Sequence, residues 1–172
     1  MSRLENLVGA FSLTVADRLV DETNTRGLSA SDHAALVTLH AHPDRPVSWL
    51  GEVLGLSSSG ATRLVDRLVA AGLVTRTPAS DSRERRLRLT TAGRRRATTA
   101  VRERNKTLAS SLEVLTAAER RELERLMDRL VSGLTTERQP GLHTCRLCDR
   151  EACRSGGREC PLDHTVPENA DD

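Results

Sequence analysis

The sequence predicts a mainly α-helical fold with one small β-hairpin. The hydrophobic residues make up 37% of the chain and are almost all Leu, Val and Ala; Phe11 and Trp49 are the only large aromatic side chains. Such a composition favours helices that pack through aliphatic stripes over a β-sandwich. The spacing of these residues agrees, because it follows a helical period along most of the chain and strand-forming residues with alternation appear only near residues 73–76 and 85–90.

The 172 residues fit one domain of ordinary size with an appendage at one end. No apolar run approaches the roughly 18 residues needed to span a bilayer. The N-terminus lacks a basic stretch followed by an apolar signal core. We therefore expect a soluble cytoplasmic protein without a membrane partner.

Positive charge is concentrated in the middle of the chain. Residues 58–106 contain thirteen Arg or Lys and four acidic residues, a net charge of +9, whereas residues 1–57 and 107–172 are each net acidic. Twelve of the thirteen cations are Arg, which suits bidentate contacts with phosphate and guanine. This block is where a polyanion would bind, although a basic surface without a partner is the alternative.

Amphipathic helices are predicted on both sides of this block. Residues 3–22 carry apolar side chains at three- and four-residue spacing, and a second helix is expected from an N-cap at Ser31. Residues 94–134 form further helical segments, the last opened by a capping box at Thr116–Glu119. These apolar stripes either pair with a second subunit or pack within one chain, and their spacing does not distinguish the two.

Two short helices separated by a turn containing Gly55 are predicted between these ends. Ser48 is the expected N-cap of the first, and Gly72 ends the second. A helix, a turn of three to four residues with Gly, and another helix form a helix-turn-helix. The following hairpin, with its arginine-rich tip, completes a winged helix-turn-helix.

Four segments of the central part of the chain carry a recognisable joint pattern of recognition helix and wing. They are LSSSGATRLVDRL at 56–68, AGLVTR at 71–76, DSRERR at 81–86 and LTTAG at 89–93. In the order and spacing of these segments the chain resembles the MarR family of transcriptional regulators. The resemblance covers roughly residues 3–134.

The resemblance implies a homodimer whose two terminal regions build the subunit interface. It also implies that the second helix of the helix-turn-helix enters the major groove of double-stranded DNA and that the wing contacts the minor groove. By the same resemblance, Asp81 pairs with a wing Arg, and small aromatic acids are a common ligand class, although nothing in the sequence names a ligand. The hairpin between Asp81 and Leu89 is shorter than is usual for the family.

Candidate DNA contacts follow from the position of residues on the recognition helix and the wing. The first turns of a recognition helix lie deepest in the groove, and short side chains there permit close approach. We expect Arg63 to read a guanine, Arg67 to contact the DNA backbone or lie on a solvated face, and the wing arginines to enter a narrow minor groove. The full set is Ser58, Ser59, Ala61, Thr62, Arg63, Arg67, Arg83, Arg85, Arg86 and Arg88.

Four cysteines near the C-terminus lie outside the part that the resemblance explains. Their spacing is Cys145-x2-Cys148-x4-Cys153-x6-Cys160, with His143 and His164 on either side. Four thiolates can enclose a tetrahedral Zn²⁺, and a metal would fold a tail too small to form a core. Redox thiols that form disulfides, an iron-sulfur cluster and an inert tail are the alternatives.

We therefore expect a regulator, most simply a repressor, that binds an inverted-repeat operator and is controlled by metal or redox state at the cysteines. A protein-interaction or metal-binding module is one alternative, and a thiol or zinc enzyme is another. The enzyme is disfavoured because four clustered Cys leave zinc no site for water and no catalytic motif is present. The expected division is a domain at 1–134 (DNA-binding core 31–93, dimerisation helices 3–22 and 94–134), a linker at 135–142, a cysteine knuckle at 143–164 and a disordered tail at 165–172.

Overall fold

The computed structural model describes residues 2–24, 27–78 and 85–165, and it confirms the predicted fold class. The three strands form one small sheet beside a helical bundle, and none of the described helices is long and apolar enough to cross a membrane. The helices are α1 (Arg3–Asn24), α2 (Ala30–Ala41), α3 (Val47–Leu54), α4 (Ser58–Ala70), α5 (Thr91–Ser111), α6 (Ala117–Ser132), α7 (Arg138–Thr144) and α8 (Arg150–Cys153). The strands are β1 (Arg45–Pro46), β2 (Val74–Pro78) and β3 (Arg85–Leu89).

Capping boxes determine where two helices begin. The box at Thr116 opens α6, as predicted: the Thr116 side chain accepts a hydrogen bond from the backbone N–H of Glu119, whose carboxylate accepts one from Thr116. The N-cap of α2 is Ser29 rather than Ser31, because Asp32 stands at the position that completes a box with Ser29. Ser31 lies inside the first turn of α2.

The predicted N-cap at Ser48 is also wrong. Helix α3 begins at Val47, directly after Pro46, and no side chain caps it. Pro46 occupies the N-cap position with an extended backbone, so Ser48 lies inside the first turn and not at the cap.

The wing is a three-stranded antiparallel sheet in the order β1-β3-β2. Its hairpin pairs Val74 with Leu89 and Arg76 with Leu87 across β2 and β3. Strand β1 adds two residues on the other side of β3 and was not predicted, because two residues are too few to show an alternating pattern. The predicted tip of the hairpin lies outside the described residues.

The start of α5 is held tightly against the base of the wing. Thr90 caps α5 by accepting a hydrogen bond from the Gly93 N–H at 3.0 Å, and its hydroxyl donates to the Gly72 carbonyl at 2.7 Å. A Cβ atom placed on Gly93 would lie 2.0 Å from the carbonyl oxygen of Leu73. The backbone can therefore approach this closely only at a glycine.

One apolar cluster forms the core, and the two terminal helices of the predicted dimer interface lie outside it. The cluster contains buried side chains of α2 to α5 and of strands β2 and β3. Helix α6 has no buried residue, and most apolar side chains of α1 are exposed, with Phe11 53% and Leu4 70% accessible. In a single chain, both helices therefore present exposed apolar surface.

Residues 138–165, here called the C-terminal module, pack on α2, α3 and α5. The predicted linker at 135–142 is partly helical, because α7 begins at Arg138 and buries Gly141 and Leu142. Thr165, placed in the predicted disordered tail, is buried against Gly141, while residues 166–172 lie outside the described chain.

The C-terminal module contacts a neutral histidine, His42, at the end of α2. The Nε2 atom of His42 lies 2.9 Å from Nη1 of Arg150, and the His42 ring packs edge-on against Trp49 with the ring centroids 5.4 Å apart. Burial, followed by the charge of Arg150, lowers the pKa of His42 to about 4. At neutral pH this ring is therefore uncharged and can accept a hydrogen bond from Arg150.

Candidate DNA interface

The first two turns of α4 expose a short polar surface. Ser57 caps the helix and accepts a hydrogen bond from the Gly60 N–H at 3.2 Å. Beyond it, Ser58, Ser59, Thr62 and Arg63 are all exposed. The Thr62 hydroxyl is held back on the helix, where it donates to the Ser58 carbonyl at 2.9 Å. Arg63 has no ion pair within the described part of the chain, so its guanidinium is available to a ligand.

Ala61 is not part of this surface, and its prediction as a DNA contact is wrong. Its side chain is 1% exposed, and a Cβ on Gly51 would lie 2.9 Å from the Cβ of Ala61. Ala61 is therefore the point where α4 crosses α3 within the helix-turn-helix. A small residue is needed there for packing, although its position in the first turns suggests DNA contact instead.

Arg67 connects the recognition helix to α2. Its guanidinium donates to the carboxylate of Asp32 at 2.9 Å, and the Arg67 side chain remains 58% exposed. Burial by itself raises the pKa of Asp32, but hydrogen bonds from Ser29 and the contact with Arg67 outweigh it and hold this pKa below its usual value. Arg67 thus has a structural partner in addition to its predicted exposure to DNA.

A second ion pair connects α4 to the wing. The Arg76 guanidinium on β2 lies 2.7 Å from the carboxylate of Asp66 on α4. The helical period alone leaves Asp66 on a solvated or DNA-contacting face, and Arg76 is not among the predicted site residues. Helix α4 is therefore fixed on two sides by carboxylate–guanidinium contacts that sequence periodicity does not reveal.

The wing arginines have different surroundings. Arg85 is exposed and has no ion pair among the residues described here, whereas Arg88 forms a two-pronged pair with Asp44, one contact being 2.8 Å, and Arg86 donates to the Asp44 carbonyl at 3.2 Å. The hydrogen bond from Arg88 lowers the pKa of the Asp44 carboxyl. Arg83 lies outside the described residues.

Asp44 fixes the wing from the chain just before β1, with a backbone φ of 60° that is unusual for a residue other than glycine. The family resemblance assigns a similar role to Asp81, which also lies outside the described residues. A lone Asp in a Pro-containing turn gives no sequence signal of a contact with a strand more than forty residues away.

His143 is directed away from a role as the base of a cysteine nucleophile such as Cys145. The Nδ1 atom of His143 lies 2.9 Å from the carbonyl oxygen of Val53 on α3, so the ring faces the helix-turn-helix. All four cysteines, Cys145, Cys148, Cys153 and Cys160, are described, partly buried and free of disulfides. They line one small cavity in the C-terminal module.

Comparisons with known proteins show which family and which solved structures this chain is similar to. A MarR family model matches residues 26–86. No curated protein matches the chain. A MarR family protein from Bacillus stearothermophilus is 28% identical with a TM-score of 0.68, and the match covers 74% of this chain and 89% of that one.

Two other solved structures share the fold at lower identity. MepR, a transcription regulator of the Staphylococcus aureus multidrug efflux pump MepA, has a TM-score of 0.69 at 14% identity, with 78% of this chain and 100% of that chain covered. Wild-type MarR from E. coli in its apo form has a TM-score of 0.63 at 23% identity, with 76% and 98% covered. The resemblance predicted from the sequence is thus confirmed: the MarR family model matches residues 26–86, and the described part of the chain shares the winged helix-turn-helix fold of these structures.

Proposed function

We propose that this protein is a transcriptional regulator that binds double-stranded DNA sequence-specifically, with α4 in the major groove and the wing at the minor groove. The observation that carries this proposal is the exposed start of α4, which offers hydroxyls and Arg63, a residue without an ion pair in the described part of the chain, on a helix that two ion pairs join to α2 and to the wing. A rigid helix with free polar groups loses little entropy on binding. The MarR-family fold supports the same function.

Arg63 is the residue that we assign to base recognition. An exposed Arg on a recognition helix can donate two hydrogen bonds to O6 and N7 of guanine, and each such pair discriminates against other bases by about 1–3 kcal/mol. Ser58, Ser59 and Thr62 are short enough for phosphate or base-edge contacts in the same groove. Arg67 is assigned to holding α4, with DNA-backbone contact as a secondary role.

Arg85 is the described wing residue best suited to the minor groove. It is exposed at the tip end of β3, whereas Arg86 and Arg88, further along the strand, are both engaged by Asp44. A narrow minor groove has an enhanced negative potential that attracts an inserted guanidinium. We propose that Arg86 and Arg88 mainly set the angle of the wing.

We further propose that the protein acts as a homodimer through α1 and α6. Exposed apolar side chains on these helices form faces that a second copy would cover, and large exposed apolar patches mark interfaces. Phe11 is 53% exposed on α1, and on α6 Met127 is 46% and Leu130 61% exposed. A two-fold dimer presents two copies of α4 to an inverted repeat.

The proposed direction of regulation is repression, because a dimer that spans two half-sites covers promoter DNA that the polymerase needs. We propose that the protein acts in the cytoplasm as a DNA-binding regulator, without a catalytic role. A promoter–reporter measurement with and without the protein tests the direction: repression lowers reporter output, and activation raises it.

The test of base recognition compares Arg63→Ala with Arg121→Ala. Arg121 is exposed on α6, outside the basic block and on the side of the helix opposite Met127 and Leu130, so the control removes the same charge away from both the DNA surface and the proposed dimer face. Fluorescence anisotropy should show that Arg63→Ala weakens operator binding by about 1–3 kcal/mol and relaxes specificity at one position, while Arg121→Ala binds like the parent. Equal losses on operator and random DNA for Arg63→Ala would contradict the assignment.

Arg85→Ala should behave differently, because a minor-groove or phosphate contact acts largely without regard to sequence. We expect weaker binding to operator and random DNA alike, and a shallower dependence of log affinity on log salt, by about one unit. An unchanged salt slope would exclude Arg85 from the interface.

A further inference from the structure

Four cysteine side chains meet beside the end of α2. Together with residues of α2 and α7 they line a cavity of about 80 Å³. Each of the four is partly buried and free of a disulfide. The four thiols thus surround one space instead of forming two separate pairs, an arrangement that suits one shared ion better than two independent disulfides.

The C-terminal module has little else to hold it together. Its helices have seven and four residues, and its buried hydrophobic side chains are Leu142 and Leu162. A unit of this size needs a cross-link or a metal to fix its fold. Gly156 and Gly157, both with positive φ near 71° and 76°, reverse the chain between Cys153 and Cys160 and so bring the last thiol back to the others.

We propose that these four cysteines form a zinc site, and that zinc holds the C-terminal module on α3 so that metal occupancy sets the affinity for DNA. The second half rests on the proposed DNA-binding function. Four thiolates and one Zn²⁺ carry a net charge of −2. Four arginines line the same cavity and offset this negative charge, while Asp163 in the lining adds one negative charge. The arginines are Arg138, Arg146, Arg150 and Arg154.

Zinc binding requires the thiols to move closer together. Among the described residues, no three His, Cys, Asp or Glu side chains are positioned to hold a metal ion as they stand. A tetrahedral site with Zn–S bonds of about 2.3 Å brings the sulfur atoms to about 3.8 Å from one another. Zinc would displace the thiol protons, and its binding would require the four sulfur atoms to come closer together.

This contraction would act on α3 through α7. The His143 Nδ1 atom lies 2.9 Å from the Val53 carbonyl, and the Gln139 amide donates to Glu52 at 2.9 Å, while Cys145 directly follows α7. Helix α3 in turn supports α4 at the contact of Gly51 with Ala61. The path therefore runs from the thiols through α7 and α3 to the recognition helix.

Chain order alone would send the signal through residues 117–134, which precede the module in sequence. The module does contact this part of the chain and its neighbour, because Arg158 pairs with Glu124 and His164 Nε2 lies 3.0 Å from the Thr135 carbonyl. These contacts are exposed, and exposed pairs contribute little. The half-buried contact with α3 is the more direct route to the DNA-binding helix.

The first experiment measures metal content in protein purified without oxygen or chelators. We expect about one zinc per chain in the parent and at least a fivefold lower content in Cys148→Ser and Cys153→Ser. His164→Ala is the matched control, since both its ring nitrogens lie 3.0 Å from carbonyl oxygens, and it should keep its zinc. Metal-free protein with free thiols or disulfides, or iron with sulfide, would overturn the proposal.

A spectroscopic titration covers the case in which a cysteine variant fails to fold. Adding Co²⁺ to chelator-treated parent protein should produce intense sulfur-to-cobalt charge-transfer and tetrahedral ligand-field bands that Zn²⁺ abolishes at one equivalent. Weak octahedral bands would overturn the four-thiolate site, whatever the behaviour of the variants.

The coupling is tested separately by anisotropy on operator DNA, with and without zinc. We expect metal removal to weaken binding about tenfold in the parent and to have no effect in His143→Ala, which keeps its zinc but lacks the contact with Val53. Equal affinity of the zinc-loaded and metal-free parent would overturn the coupling. If neither form bound DNA while both cobalt and zinc results held, the proposed function would fail and the zinc site would stand.

Discussion

Asp32 joins the start of α2 to the recognition helix, so its removal tests how α4 is held. The Asp32 carboxylate accepts hydrogen bonds from the N–H and hydroxyl of Ser29 at 3.0 and 2.8 Å, and it pairs with Arg67 at 2.9 Å. Asp32→Ala removes these contacts and leaves Arg67 unpaired. The backbone N–H of residue 32 still donates to the Ser29 hydroxyl in this variant, so the helix keeps part of its cap.

The expected cost follows from these contacts. Loss of the capping hydrogen bonds contributes about 1–1.5 kcal/mol. The ion pair adds no more than about 0.5–1 kcal/mol, because Arg67 is 58% exposed and its charge is screened by solvent. Asp32→Ala should therefore lower the free energy of unfolding by about 2 kcal/mol, and Asp32→Asn, which can still accept from Ser29, by about half as much.

Urea denaturation followed by circular dichroism at one fixed protein concentration measures this difference. With a slope of about 2 kcal/mol per molar urea, the midpoint should fall by about 1 M for Asp32→Ala. The difference between Asp32→Ala and the parent should persist at pH values above 3.8, the ordinary value for Asp. Because the folded-state pKa of Asp32 is lower, the difference should diminish as the pH falls below 3.8 through that pKa.

A midpoint shift below about 0.2 M at neutral pH would refute the reasoning, since it would mean that Asp32 contributes no more than an ordinary exposed carboxylate. A full difference that survived at pH 2 would show that the effect is not electrostatic.

Two further predictions concern packing. Gly93→Ala should destabilise the fold by about 2–4 kcal/mol, because its Cβ would lie 2.0 Å from the backbone oxygen of Leu73. Thermal unfolding should show a lower Tm. An unchanged Tm would contradict the close contact between the Gly93 and Leu73 backbones. Leu130→Asp, at a side chain that is 61% exposed in the single chain, should shift the protein toward monomer in light scattering while preserving its helical circular dichroism. A persistent dimer would place the interface elsewhere.

Periodicity predicts most helices because each buries one face at helical spacing. The α1 and α6 stripes, the turn at Gly55 and the two wing strands are all local patterns, and the structure has them where they are predicted. Two of the predicted helix starts are wrong for different reasons. At α2, Asp32 completes a capping box with Ser29 instead of Ser31. At α3, the helix follows Pro46 and no side chain caps it, so Ser48 has no capping role.

The contacts that shape the candidate interface are harder to predict. Arg88 with Asp44, Arg67 with Asp32 and Arg76 with Asp66 join residues from 10 to 44 positions apart, and a charge pattern does not say which carboxylate a given Arg meets. Ala61 has the right position on its helix for DNA contact, but burial depends on the crossing of α3, which one helix period cannot show.

In the C-terminal module, too, the local pattern is predictable from the sequence and the distant contacts are not. The spacing of the cysteines suggests that they share one site, and they do line one cavity. The docking of that site on α3 is not predictable from spacing, because it depends on His143 and Gln139 meeting residues nearly ninety positions before them in the chain.

Selection of bound fragments from random-sequence DNA tests the central claim most directly, because the operator sequence does not have to be known beforehand. A dimer with one α4 per subunit should enrich an inverted repeat whose half-sites are centred about one helical turn, 10–10.5 base pairs, apart. Arg63→Ala should lose the preference at one position in each half-site. No enrichment, or enrichment of a single half-site by the parent protein, would contradict the proposed recognition of DNA by a dimer.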